Sequence, residues 1–266
     1  MQLPDWLRIF PDADFRFRMG VRPGDLASFF EPDEALIKLR RSVLNEHPEL
    51  YAATMPGAEE AMTEAAGVMG IDVDAESRSC REFCLDLGRR SAADWVLLSP
   101  SVVDHHPVIA GAVCFPSGWS LPEKLGKPIE KVHEPVPLLK EELNLSIHTF
   151  LERLVSGVPW ERDNWGLSAD AELDHHPDVA RSVLALDATL TTTWLRLERQ
   201  LLLRLPKTGA ILFGIRVSTH RLDALAADPG LAPRMARAFR TMPDVIASYK
   251  GLTECRSSLA DALERT

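Results

Sequence analysis

GAVCFPSGWSLPEKLGKPIEKVHEPVP, residues 111–137, passes from an apolar run to a broken helical pattern and ends on one histidine set against prolines. The apolar run Ile109 to Phe115 lies between Pro107 and Pro116, the pattern of a buried strand. Pro116-Ser117-Gly118 ends it, because proline cannot donate to a ladder and glycine accepts a tight turn. Leu121, Leu125, Ile129 and Val132 then recur at helical spacing, with Pro122 near the start and Pro128 as a kink. His133 follows directly, and the prolines of HEPVP are expected to push the backbone there into extended conformation.

A lone histidine at a helix end is a capping residue, a packing residue or a ligand. Its position beside an apolar face also suits an axial ligand to haem, which needs apolar walls and an imidazole of fixed orientation. On residue chemistry alone these alternatives stay open.

N-terminal to this stretch, residues 1 to 30 read as an irregular arm over the core, with a short half-buried strand possible where Phe15, Phe17 and Met19 alternate with arginines. Helical patterns follow over about 32–48, 57–69 and 76–93, the last placing Cys80, Phe83, Cys84 and Leu87 on one stripe. Asp94 to Leu98 reads as a strand. The tetrapeptide DHHP stands at Asp104 to Pro107 and again at Asp174 to Pro177. Paired histidines beside aspartate can bind a metal, but adjacent histidines diverge and proline marks both sites as surface turns.

C-terminal to it, Leu138 to Val155 is patterned as an amphipathic helix, with His148 a polar-face residue and the second choice for an axial ligand. WERDNWGL, residues 160–167, interleaves aromatic rings with Arg162, fit either for a cofactor wall or for a salt-bridged strand edge. Thr191 to Leu205 and Gly209 to Ser218 form the clearest strand pair, joined by LPKTG as an antiparallel hairpin. Leu195, Leu197, Arg199, Leu201 and Leu203 share one face of it. Arg216 interrupts the otherwise apolar GAILFGIR, so it needs an acceptor; Glu198 across the hairpin is the expected structural partner. Helices over about 221–227, 231–241 and 244–264 close the chain.

The net charge is −9 in 266 residues, which argues against nucleic acid or an anionic membrane as partner. No apolar run is long enough to span a bilayer and the N-terminus shows no signal pattern, so the expected location is the cytoplasm. Four cysteines show neither CxxC nor zinc spacing, which leaves no basis for an iron–sulfur cluster.

CFPSGW, EKLGKPI and VHEPVP, followed by ERDNW, LERQLLLRLP and FGIR and preceded by FRFRMG, resemble in order the haem-dependent oxidative N-demethylase family, from about Phe15 to Tyr249. Element order gives an α+β fold with an antiparallel sheet. The resemblance implies one PAS-like unit over residues 1–266, its sheet and flanking helices enclosing a haem pocket. It implies haem b with His133 on the iron, Trp119, Lys124, Arg162 and Trp165 as further cofactor-binding residues, and Arg216 as a catalytic distal donor facing oxygen. It further implies a small methylated amine as substrate, and a separate flavin or iron–sulfur reductase subunit, since the chain has no GxGxxG and no clustered cysteines. Where the family pattern continues from arginine into threonine and tyrosine, this chain has Val217 and Ser218, which motivates a haem sensor or non-catalytic haem module as the alternative. A binding protein without haem is the third.

Overall fold

The computed structural model describes residues 4–16, 18–72, 79–137 and 144–266. Its centre is a seven-stranded sheet in the order β1-β5-β6-β7-β3-β4-β2, antiparallel at every pairing. The strands are β1 (Arg22–Pro23), β2 (Ala52–Thr54), β3 (Asp94–Leu98), β4 (Val108–Ala112), β5 (Trp160–Ser168), β6 (Trp194–Arg204) and β7 (Ile211–Arg221). The architecture is therefore α+β with an open antiparallel sheet. The hairpin expected around LPKTG is β6–β7, closed by the Leu205 amide donating to the Ala210 carbonyl at 2.8 Å. The two-residue and three-residue strands β1 and β2 escaped the sequence reading, being too short to show a period. No strand forms among the described residues of 15–19.

Helices α1 (Trp6–Ile9), α2 (Leu26–Phe29), α3 (Glu34–Glu46), α4 (Pro48–Tyr51), α5 (Glu59–Val68) and α6 (Cys80–Arg90) precede β3. Four of them, α1, α2, α3 and α6, begin where a side chain caps them. Asp33 accepts from the amides of Ala35 and Leu36, so α3 starts after Pro32 rather than on it. Ser79 and Glu82 form a reciprocal capping box that fixes the start of α6; the expected start at residue 76 lies outside the described residues. Between β4 and β5 come a 3₁₀ turn (Pro122–Lys124), α7 (Ile129–His133) and α8 (Asn144–Arg153), and residues 138–143 of the expected helix lie outside the described residues. After β7 follow α9 (Leu222–Ala226), α10 (Ala232–Thr241), α11 (Asp244–Tyr249) and α12 (Arg256–Glu264). The expected helix over 244–264 is split because the chain turns at Gly251, φ +68°, a left-handed conformation that glycine adopts without strain.

Side chains alternate between the two faces of the sheet. One face carries Trp165, Leu195, Leu197, Arg199, Leu201, Gly214 and Arg216, read through the pairings Trp165↔Leu197↔Ser218 and Arg199↔Arg216. It is covered by the N-terminal helices through Phe29, Leu44, Phe83 and Leu87 and by α10–α12 through Met235, Phe239 and Leu259. The other face carries Trp160, Arg162, Asn164, Arg196, Glu198, Leu202, Phe213 and Val217. Here the connection between β4 and β5 packs, through Leu121, Ile129, Ile147 and Leu151.

A buried ion pair fixes the stretch that opened the sequence. Arg40 of α3 and Asp94 of β3 pair in the core, and the Asp94 carboxylate also accepts from the amides of Cys114 at 2.7 Å and Phe115 at 3.0 Å. The strand thus ends where a carboxylate, not another strand, takes over its amides. All four cysteines are free thiols.

Candidate functional site

Pro128 caps α7 in extended conformation, Ile129 is buried, and His133 is the last helical residue. The expected extension directly after it does not occur: the C-cap residue Glu134 keeps helix-like dihedrals, φ −51°, ψ −34°, and the amide of Val136 donates to the His133 carbonyl at 2.9 Å. A tight turn closed by that bond outweighs the pre-proline preference.

The half-buried His133 side chain has its pKa pushed down to about 4, by burial first and then by the cations Arg162 and Lys124, with His148 adding to the effect. At neutral pH its imidazole is uncharged. Among the described residues nothing hydrogen-bonds either ring nitrogen. Arg162 sits on β5 opposite Gln200, on the sheet face against which α7 packs. Its Nε is buried without a hydrogen-bond partner, and burial lowers its pKa although Glu198 and Asp163 act to raise it. No described residue accepts a hydrogen bond from its guanidinium, and none pairs with the ammonium of half-buried Lys124. Two cations therefore act on a neutral imidazole, and no anion among the described residues is bonded to either.

Around them the surface is apolar. Val132 and Leu125 join Leu121 and Ile129 against Trp119, Trp160, Leu202 and Phe213, and Phe150 meets Trp160 edge-on with centroids 6.2 Å apart. Deeper on this face lies Glu198, buried, accepting from Ser117 at 2.5 Å, Asn164 at 3.1 Å and Gln200 at 2.7 Å. Burial pushes its pKa up, but the Ser117 bond, Arg196, Asn164 and Gln200 outweigh it, so the carboxylate stays ionised well into the acid range. Arg196 itself donates to Ser117 at 2.8 Å and to the Phe115 carbonyl at 2.7 Å, tying the CFPS turn to the sheet.

Of the six residues singled out from the sequence, the structure brings His133, Lys124 and Arg162 together and places Trp119 in the apolar wall beside them. Trp165 is on the opposite face, packed with Phe10 and Phe239 in the core under α10–α12. Arg216 is also on that opposite face. Its guanidinium donates to the carbonyls of Phe29 at 2.9 Å and Glu31 at 3.0 Å, and Asp33 lies 3.9 Å away. Glu198 is not its partner, because Glu198 pairs in register with Val217 and so points the other way.

Two residues were not singled out, although Trp160 was read with Trp165 as part of a possible cofactor wall. Trp160 supplies the ring that Trp165 does not, and the period of two along WERDNW was signal enough, since Trp160 shares a face with Arg162 and Trp165 cannot. Lys250, just beyond α11, donates to the Trp165 carbonyl and lies 5.0 Å from its ring centroid. Its pKa is lowered to about 8, by burial first, with Glu198 opposing and Arg162 adding to the effect. No local pattern announces it. The DHHP sites are not both surface turns either: His105 is exposed, whereas His106, His175 and His176 are buried.

Residues 71–260 match the family described as haem-dependent oxidative N-demethylase, alpha subunit-like. That segment contains all of the residues gathered on the Arg162 face. Among the described residues, no helix is long and apolar enough to cross a membrane.

Proposed function

We propose that this chain, which belongs to the haem-dependent oxidative N-demethylase, alpha subunit-like family, holds haem b between the Arg162 face of its sheet and α7, with His133 as axial ligand. The observation that carries this is that two cations acting on a neutral imidazole have no hydrogen-bonded anion among the described residues. A buried guanidinium without an acceptor is costly, and the two carboxylates of haem b would supply the hydrogen-bonded anions that Arg162 and Lys124 do not find among the described residues. The imidazole is held uncharged, as a ligand must be. Trp119, Trp160, Leu202, Phe213 and Val132 give the apolar walls a porphyrin requires. The residues present fit the group. The order β4-β3-β7-β6-β5, with the helical connection between β4 and β5 laid over one face, supports a PAS-like reading of the fold.

Bound haem would supply oxygen activation for removing a methyl group, as aldehyde, from a small methylated amine or related compound, with electrons from a separate flavin or iron–sulfur reductase subunit. An alpha-subunit description itself implies a partner subunit. The chain's own residues orient the group and exclude water. Glu198, fixed as an anion by three donors, offsets the positive charge of Arg162 and Arg196 on the same face. Arg216 acts in this reading as a tie to the N-terminal arm. One observation favours the alternative of a haem sensor: Val217 is buried on the Arg162 face and offers substrate no hydrogen bond. Oxygen-dependent aldehyde release with a reductase separates the two.

The test of the haem site is the Soret band of the purified protein. His133→Ala should abolish it or make it dependent on added imidazole, while His148→Ala keeps it. The reverse pattern would move the ligand to α8, and no Soret band after reconstitution of the wild type would remove haem from the account.

A further inference from the structure

We propose that His105, Glu130 and His148 form a site for a divalent first-row transition metal, next to the proposed haem position and independent of it. One nitrogen from each histidine and one carboxylate oxygen lie within 4.8 Å of one another. Oε1 of Glu130 is 3.6 Å from His105 Nδ1 and 3.0 Å from His148 Nε2. Ligand atoms about 2.0–2.2 Å from a tetrahedral zinc stand about 3.3–3.6 Å apart, so small side-chain shifts complete the geometry.

The ligands come from three separate elements, which is what a built site needs. His148 is on α8 and Glu130 on α7. His105 is on the loop between β3 and β4, where His105 and His106 take left-handed φ values of 56° and 52° in succession. Left-handed backbone at two adjacent non-glycine residues persists only where the surroundings impose it. Here the amides of His105 and His106 donate to Val102 and Ser101, and His106 turns inward to place Nδ1 2.9 Å from the Ser99 carbonyl. His105 is thereby turned the other way, toward α7, whose first amide, Ile129, donates to the His105 carbonyl at 3.1 Å. The DHHP turn splits its histidines, one to the core and one to the cluster.

His148 is the part-buried member of the cluster. Its Nε2 is buried and, although 3.0 Å from Glu130, is not aligned to share a hydrogen bond with it. Such a contact is an ion pair when the imidazole is protonated and, when it is neutral, sets two lone-pair donors toward one point, where a metal ion can take both. His105 and His148 meet edge-on, centroids 5.5 Å apart, so neither ring blocks the other's nitrogen. The outer side is open, since His105 and Glu130 are exposed, which leaves a position for water or an external ligand. Two imidazoles and one carboxylate suit Zn²⁺ or Fe²⁺ rather than Mg²⁺ or Ca²⁺.

The test is Zn²⁺ binding by the full chain after chelation and dialysis, read by calorimetry and by the metal-induced rise in melting temperature, with Co²⁺ absorption reporting the coordination. His105→Asn keeps a residue that tolerates left-handed φ, and Glu130→Gln keeps the helix, so both should fold. Each should weaken Zn²⁺ binding by more than the roughly 10–100-fold that loss of an outer-shell partner costs. Both should keep the Soret band, which separates failure here from failure of the haem assignment. Wild type that binds no Zn²⁺, or variants that bind it as tightly, would overturn the proposal. So would loss of haem from either variant, since the cluster would then belong to the haem site.

Discussion

Arg162→Leu separates a cofactor-binding cation from a structural one, because the two roles predict opposite signs for the haem-free protein. In the structure the guanidinium has a buried Nε, no described acceptor, and a pKa depressed chiefly by burial. Leucine removes that desolvated charge and leaves no acceptor orphaned. The haem-free variant should therefore be at least as stable as wild type, by about 0–4 kcal/mol, the range found when buried ion pairs are replaced by apolar groups. At about 2–4 °C per kcal/mol for a chain of this size, its melting temperature should hold or rise. Haem affinity should move the other way. A hydrogen bond to a charged group contributes about 1.5–3 kcal/mol, so losing the contact to a propionate should weaken binding about 10- to 150-fold. Thermal melting of the haem-free protein and Soret titration with haemin measure the two quantities on one preparation. A variant that melts several degrees lower and binds haem as tightly as wild type would refute the reasoning and make Arg162 a structural residue with an unrecognised partner.

The depressed pKa of His133 gives a pH dependence of known sign. Between about pH 6.5 and 4 the unfolded chain binds a proton that the folded imidazole refuses, so the haem-free protein should lose stability as pH falls through that window, and should not vary from this cause above it. The difference between wild type and His133→Gln should approach but not exceed about 3 kcal/mol by pH 4, the exposed edge of the ring reducing it; superimposable denaturation curves would sink the idea. Asp94→Ala strands buried Arg40 and the amides of Cys114 and Phe115, and should cost about 3–5 kcal/mol by denaturant titration, much of it recovered when Arg40→Met is added. Gly214→Ala places a methyl 2.7 Å from a ring carbon of Phe29 and should cost about 1–3 kcal/mol, less in a Phe29→Leu background; no cost in either would mean the arm yields freely.

The sequence carried the long elements because their periods are long enough to read. The β6–β7 hairpin, β3 and the apolar faces of α3, α6 and α10 fall where alternation and helical spacing place them. The site was legible in part, and strand parity explains which part. Arg162 and Trp165 stand three positions apart on one strand and cannot share a face, so a motif read as a unit was divided between two cores. Arg216 was read from the same hairpin without asking which face it occupied; its real partners are backbone carbonyls in an arm 185 or more residues away, a relation no local pattern encodes. Likewise His105 meets Glu130 and His148 only because a loop and two helices converge, and spacing along the chain says nothing of that.

The contact between the N-terminal arm and β7 has a bearing on how the molecule assembles and how it can be cut. Phe29 sits over Gly214, and the carbonyls of Phe29 and Glu31 hold the Arg216 guanidinium, so the middle of the sheet is finished by residues nearly two hundred positions upstream. Contacts of such sequence separation form late, after the entropy of closing a long loop has been met by other interactions. During synthesis the arm emerges first and must wait, uncovered, for β7 to leave the ribosome. A fragment trimmed to residues 71–260 would begin life with an aromatic-sized groove along its central strand and a cation beneath it stripped of its acceptors.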